Sequence, residues 1–335
     1  MASSYSNLHP VDQILSSLVV EAVPSDSQLI ADKLFENIKV PERSGTLLLE
    51  QTRNFMGAGA GLDLERAPGS DRTSIGGFDR SSMTFKALIY SAKDSIAMED
   101  IIDSQYPGSE EQRTAKKVAR VMKLAKEKRA ADVLFNASNF TGYTSTSTAT
   151  FGGKFNAAGA EPLSYLHQLK DTVFANAHGI APDTLVMGRD VFRALARNPE
   201  VRGYVGTSSQ GIASGNLILS DAAVKQVLSD VLGVPNILVG EARIDSAVPG
   251  AASSEGYIWT GDSLFFGILH GSDAVVQKGG AVKAMPVAAL NFEFGGMIAG
   301  QYDDLGRIRR YVWAEEVHNF KIIDASLGYL LTDCL

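Results

Sequence analysis

The chain has 335 residues, of which 45% are hydrophobic and 21% charged, and its net charge is −7. This is material for roughly two ordinary domains, and the acidic balance excludes general nucleic-acid affinity over the whole surface while leaving room for a local basic face. The single cysteine, Cys334, excludes a disulfide framework and any multi-cysteine metal site, and no apolar run approaches the ~20 residues that span a bilayer.

Residues 1–39 are mostly polar. The apolar patch from Ile14 to Val20 follows no basic segment and is interrupted by serines, a poor match to a signal peptide, so a cytoplasm-like compartment is expected. One short amphipathic stretch near Asp26 to Ile38 puts Leu29, Ile30, Leu34 and Ile38 on one side. It reads as an arm ordered by a partner, because so few anchors cannot offset ~1–2 kcal/mol of backbone entropy per ordered residue. Two strand-like runs follow, Thr46 to Phe55 and Ser82 to Tyr90, expected to pair as a long hairpin. The connection between them is glycine-rich and too long for a compact domain, so it reads as a projecting arm.

Ser109 to Phe135 is the one long run free of glycine and proline, and it predicts a single helix. Pro107-Gly108 breaks the preceding segment, Ser109 and Gln112 have capping-box spacing, and Glu110 and Glu111 favour the positive end of the helix dipole. Ala115, Val118, Met122 and Ala125 recur at helical spacing, with Val121 and Leu124 widening the stripe. Arg113, Lys116, Lys117, Arg120, Lys123 and Lys126 crowd the remaining surface. At 1.5 Å per residue the helix would be about 40 Å long, a beam whose apolar stripe is expected to pack on the extended runs near the end of the chain.

A Gly/Ser/Thr/Asn-rich passage, 136–159, leads to a helix from about Glu161 to His178. Helices and short β-rich runs then alternate: a strand at Leu185 to Gly188, helices at Arg189 to Arg197 and Ser220 to Leu232, and strands at Ile237 to Val239 and Gly256 to Trp259. That alternation is the signature of an α/β domain. Leu290 to Val317 reads as two extended runs around the turn Asp303-Asp304-Leu305-Gly306, and Ile322 to Leu331 as a short closing element.

Motifs that would carry chemistry are not found. In Gly57-Ala58-Gly59-Ala60-Gly61 the third glycine is out of register for a dinucleotide fingerprint, and Gly152-Gly153-Lys154 is followed by Phe155 where a phosphate loop needs Ser or Thr. The serines of Gly206-Thr207-Ser208-Ser209-Gln210-Gly211 lack the spacing of a nucleophile elbow. His9, His167, His178, His270 and His318 are scattered, and Glu315 and Glu316, as strand neighbours, point to opposite faces. No catalytic residue, cofactor or metal is expected, and Trp259, Tyr311 and Trp313 are assigned to cores or interfaces.

The order of polar arm, projecting hairpin, beam helix, α/β domain and closing strands resembles the major capsid proteins of tailed bacteriophages, an α+β fold of the Hong Kong 97 type. Local motifs are similar to its major capsid protein E-like branch: Ile30-Ala31-Asp32-Lys33-Leu34-Phe35 leading to Val40-Pro41, Arg66-Ala67-Pro68-Gly69, Pro182 to Phe192, Val234 to Gly240, and the ending Gly328 to Asp333. The resemblance implies an N-arm (1–45), an extended β-hairpin loop (46–92) and a peripheral domain (93–180) with its spine helix at 109–135. It further implies an axial α/β domain (181–288), peripheral return strands (289–320) and a C-terminal return to the axial domain (321–335).

The implied function is a non-catalytic shell subunit that assembles with itself into pentamers and hexamers, with scaffolding, portal and decoration proteins as partners, double-stranded DNA inside and no membrane. Phe35 in the N-arm, and Arg66, Pro68, Gly69, Asp71, Arg72, Phe78 and Lys86 in the loop, are the implied subunit contacts; Lys116, Arg120 and Lys123 are the candidate DNA-facing side chains. The fold's namesake cross-links a lysine to an asparagine with help from a glutamate. Lys86 lies in the loop here, with no asparagine or glutamate partner identifiable. Two alternatives stand beside this reading: an encapsulin-like compartment, and an oligomeric α/β enzyme with a pocket lined by His178 or His270 and Asp190 or Glu241.

Overall fold

The computed structural model describes residues 28–50, 65–66, 68–69, 71, 80–103, 109–157, 159–208, 220–248, 250–270, 275–276, 282–284 and 287–335. The described chain begins with a short helix α1 (Ala31–Leu34), strand β1 (Glu36–Lys39) and a hairpin of β2 (Ser44–Glu50) and β3 (Arg80–Lys86). Next come β4 (Leu88–Ala97), α2 (Met98–Asp103), the long α3 (Ser109–Leu134), β5 (Thr144–Thr146) and α4 (Ser147–Phe151). Helix α5 (Pro162–Asn176), β6 (Thr184–Gly188), α6 (Arg189–Arg197), α7 (Pro199–Ser208), α8 (Asp221–Leu232) and β7 (Asn236–Gly240) follow. The rest is extended: β8 (Arg243–Asp245), β9 (Glu255–Tyr257), β10 (Leu264–Gly267), β11 (Val275–Val276), β12 (Val282–Ala284), β13 (Ala289–Glu293), β14 (Ile298–Asp304), β15 (Arg309–Ile322) and β16 (Gly328–Thr332).

Strand β15 organises the first sheet. It pairs antiparallel with β13 and β14 along one edge and with β4 along the other, while β1 adds to β13 in parallel. Its side chains alternate, so that Val312, Ala314, Glu316, His318 and Phe320 are all buried. Helix α3 lies on that face. Ala115, Val118, Ala119 and Met122 pack against Ile96, Ala299, Val312 and Ala314, which matches the packing expected from the apolar stripe. The beam is pinned at its start, where Arg310 reaches Glu111 at 2.6 Å and Asp303 at 2.7 Å.

The second sheet, β5-β16-β10-β6-β7, is the centre of the α/β part. Its strands β6 and β10 are buried at every position, as short strands covered on both faces must be. Leu166, Val173, Phe192, Leu195, Val224 and Leu228 from the surrounding helices fill one side. Local signals fix the helix ends. The Ser220 hydroxyl accepts from the Ala223 N–H before α8, and Gly233 closes that helix with φ +63°. The chain's end rejoins this sheet, with β16 between β5 and β10.

Several elements differ from the sequence reading. Residues 30–40 need no second chain: Ile30, Leu34, Phe35, Ile38 and Val40 are buried in the chain's own central core. Phe35, expected at a subunit contact, is 2% exposed and packs on Phe320 with ring centroids 4.8 Å apart. The strand expected over Ser82 to Tyr90 breaks at the buried Ala87: β3 stays in the hairpin, and β4 crosses to β15. Leu290 to Val317 supplies three strands where two runs were expected, because Gly295 (φ +79°) and Gly296 (φ +73°) turn the chain between β13 and β14. Val121, placed on the apolar stripe, is exposed, whereas Lys126, placed on the solvated basic face, is buried.

Candidate functional site

The densest group of polar side chains among the core residues lies where α3, the N-terminal segment and the sheet under α3 meet. Glu127 is 1% exposed and accepts three hydrogen bonds from two separate parts of the chain. Its Oε1 accepts from the Ile30 N–H at 2.9 Å and from Trp259 Nε1–H at 2.6 Å, and its Oε2 accepts from the Ala31 N–H at 2.8 Å. Helix geometry leaves the first N–H groups of α1 without intrahelical partners, and the carboxylate supplies them across nearly a hundred residues of sequence. Burial raises the Glu127 carboxyl above its ordinary range, against the pull of those three hydrogen bonds.

One residue earlier, Lys126 Nζ sits 2.6 Å from Glu316 and 2.8 Å from Asp32. Burial disfavours its ammonium, but Glu316 and Asp32 more than offset this and raise its pKa. Neighbouring His318 is 1% exposed and accepts at Nε2 from Arg129 Nε–H at 3.3 Å, which puts its own proton on Nδ1. Burial first, and then Lys126 and Arg129, depress its pKa to about 3. The imidazole is therefore neutral at physiological pH. Arg129 also stacks on the Tyr90 ring at 3.7 Å, and burial lowers its pKa.

This arrangement is mechanical in character. Lys126 is paired with Glu316 and Asp32 within the fold, while Arg129 Nη2, Glu316 Oε2 and His318 Nδ1 are buried without a hydrogen-bond partner among the described residues, and the cluster joins α1, α3, β15 and the loop carrying Trp259 into one unit. The concavity beside α3, about 600 Å³, is an open trough lined by Val121, Leu124, Lys128, Asp132, Arg243 and Ile244 among others. Among the described residues no group of three or more His, Cys, Asp or Glu could hold a metal ion, and no helix is long and apolar enough to cross a membrane. Of the residues of the enzyme alternative, Glu241 is 2.6 Å from Arg189, which also binds Asp221 at 2.8 Å, and the backbone N–H of His270 donates to Asp183 at 2.9 Å.

Of the loop residues singled out in the sequence, Arg66, Pro68, Gly69 and Asp71 are exposed, with Gly69 at φ +83°, and Arg72 and Phe78 lie outside the described residues. Lys86 is exposed at the hairpin base, where its carbonyl accepts from Asn319 Nδ2–H at 2.9 Å. On α3, Lys116 and Arg120 are exposed and Lys123 is half-buried, on a side of the helix away from Val118 and Met122. Sequence reasoning missed Glu127 and Trp259 as a pair. The one local signal was an acid one turn beyond Lys123 in a run dominated by lysine and arginine.

No protein-family model matches the chain. The major capsid protein of Burkholderia phage BcepMu is 23% identical over 237 residues, covering 71% of each chain. Among solved structures, a phage-related protein from Bordetella bronchiseptica is 19% identical and superposes with a TM-score of 0.68 over 97% of this chain and 98% of that one. The capsid of a native GTA particle, 15% identical, gives 0.55 over 93% and 92%. The resemblance to phage major capsid proteins is thus met both in sequence and in fold: the chain has the mixed α/β fold of Hong Kong 97-type capsids along nearly its whole length.

Proposed function

We propose that this chain is the structural shell subunit of an icosahedral virus head, self-assembling and non-catalytic. The observation that carries the reading is the match of fold over almost all of both chains, joined to sequence kinship with a major capsid protein. The elements suit the task. A 26-residue helix clamped to a 14-residue strand, β15, makes a stiff bar, and the Glu127 and Lys126 junctions fix the N-terminal segment to it.

In this reading copies close into rings of five and six through unlike patches on their two sides, the heterologous mode of association. The hairpin of β2 and β3 is the extended loop. It places Arg66, Pro68, Gly69, Asp71, Arg72, Phe78 and Lys86 on an adjacent subunit. The segments 93–180 and 289–320 form the peripheral domain, and 181–288 with 321–335 the axial domain. Lys116, Arg120 and Lys123 form the face turned to packaged double-stranded DNA, with scaffolding, portal and decoration proteins as further partners, and the site of action is the virion. Sedimentation of the purified chain, with negative-stain imaging of the fast fraction, tests the core of the proposal. Closed shells are expected, and a chain that stays monomeric under every assembly condition contradicts it.

A further inference from the structure

The two most exposed large hydrophobics among the described residues, Ile102 and Leu305, are each 80% exposed, and both stand at the end of the first sheet where β4 and β14 stop and β15 begins. The last rung there pairs Ala97 with Arg309, and the Met98 N–H donates to the Ile308 carbonyl at 3.1 Å, which fixes the start of α2 against the turn 305–308. Ile102 follows Met98 by four residues, on the same side of α2 and about 6 Å along it. Ile308, 53% exposed, completes the group.

Ile308 is costly where it stands. It is β-branched, yet it sits at φ +51°, a left-handed conformation that glycine or asparagine adopts with far less strain. An isoleucine that is both strained and exposed gains nothing for the isolated fold, so its side chain points to a contact outside it. The turn that presents it is well fixed, because the Asp304 carboxylate accepts from the Gly306 and Arg307 N–H groups at 3.0 and 3.3 Å.

The charges around the group select the partner. On one side α2 carries Glu99, Asp100 and Asp103, all exposed, with no base in its last turn; on the other stands the exposed Arg307. None of these four side chains makes an ion pair with a described residue. A uniformly acidic or basic partner would set like charges against one sign or the other. A second copy turned about a two-fold axis sets the base of each against the acids of the other and closes the apolar group between them.

We infer that this end of the sheet is a self-complementary contact between two copies of the chain, with Ile102, Leu305 and Ile308 packed across it and Arg307 of each copy set against Glu99 and Asp103 of the other. Its place in an assembly rests on the shell reading: rings close through unlike patches, so a contact between like patches joins one ring to the next.

Charge exchange tests the contact in the purified full chain, with sedimentation velocity as the readout. Arg307→Glu alone, and Glu99→Arg with Asp103→Arg alone, place like charges across both halves of the contact, so each should lower the self-associated fraction about tenfold or more. Mixing the two proteins puts opposite charges in both halves of every mixed pair and should restore association, while the urea midpoint of each unassembled variant stays at the wild-type value. Unchanged association in either variant, a mixture no better than its components, or a wild-type chain that never self-associates would each overturn the contact. Closed shells indifferent to both variants overturn the contact alone, and pairs rescued by mixing that never close into shells overturn the shell reading alone.

Discussion

Replacing Glu127 by alanine is the sharpest perturbation of the subunit, because one carboxylate serves three buried donors. The change leaves the Ile30 N–H, the Ala31 N–H and the Trp259 indole N–H without an acceptor. A buried donor stripped of its partner costs about 1–3 kcal/mol, so the three together set a ceiling of about 9 kcal/mol. Two effects reduce this. The carboxylate no longer has to be desolvated, a cost expressed in its raised pKa, and water can enter the vacated volume. A net loss of about 3–5 kcal/mol is expected, the lower part of the range for three unsatisfied neutral donors. In urea, with a slope of about 3 kcal/mol per molar, the midpoint of the unassembled subunit should fall by about 1–2 M. Glu127→Gln keeps Oε1 for Ile30 and Trp259 but turns an amide against the Ala31 N–H, so it should fall between wild type and alanine. The indole fluorescence of Trp259 should shift toward that of a hydrated ring only in the alanine variant. If Glu127→Ala unfolds within about 0.5 kcal/mol of wild type, the span of an ordinary surface change, the junction is not what joins these elements.

Phe35→Ala should cost the isolated subunit about 3–5 kcal/mol, as for a large core truncation. Unchanged subunit stability with lost assembly would return Phe35 to an interface. Gly240→Ala should destabilise by about 1–3 kcal/mol or more through overpacking, because a Cβ there would meet Trp259 Cγ at 2.2 Å; chemical denaturation that finds wild-type stability would refute the close approach. His318, neutral when folded with a pKa of about 3 against an ordinary 6.5, binds its proton more readily in the unfolded chain. Its contribution is therefore present above pH 6.5 and is lost as pH falls toward 3. From pH 7 to 5 that is about 2 kcal/mol at 1.36 kcal/mol per unit, and His318→Gln should remove this part of the slope in urea titrations at the two pH values. Glu127, whose pKa is shifted upward, contributes with the opposite sign and persists in both proteins. Lastly, Arg66→Ala with Asp71→Ala should abolish fast-sedimenting particles while leaving the subunit's unfolding midpoint in place; intact particles would remove these residues from the contact.

What the sequence made legible follows from how local each signal is. The helix Ser109–Leu134 and the strand-helix pair Thr184–Gly188 and Arg189–Arg197 carry their own periodicity and breakers, and they stand where expected. Strand Leu264–Gly267 was missed because four consecutive apolar residues between turns have no period to read. Helix Pro199–Ser208 was missed because Gly203 and Gly206 weaken a short pattern that only its first proline announces. The polar junction was illegible for a different reason. Lys126 looks like any solvated lysine until Glu316, 190 residues away, is placed beneath it, and Phe35 looks like an anchor for a neighbour until β1 pairs with β13. Burial of a charge is a property of tertiary partners, and no window of sequence contains them.

The central claim is that this fold builds a closed shell from rings of identical subunits. Cryo-electron microscopy of particles formed by the purified chain tests it most directly. A map with icosahedral symmetry is expected, in which the fold, with α3 lying on β15 and β4, fits every position of both five-fold and six-fold rings. Discrete small oligomers, or particles lacking such rings, would contradict it.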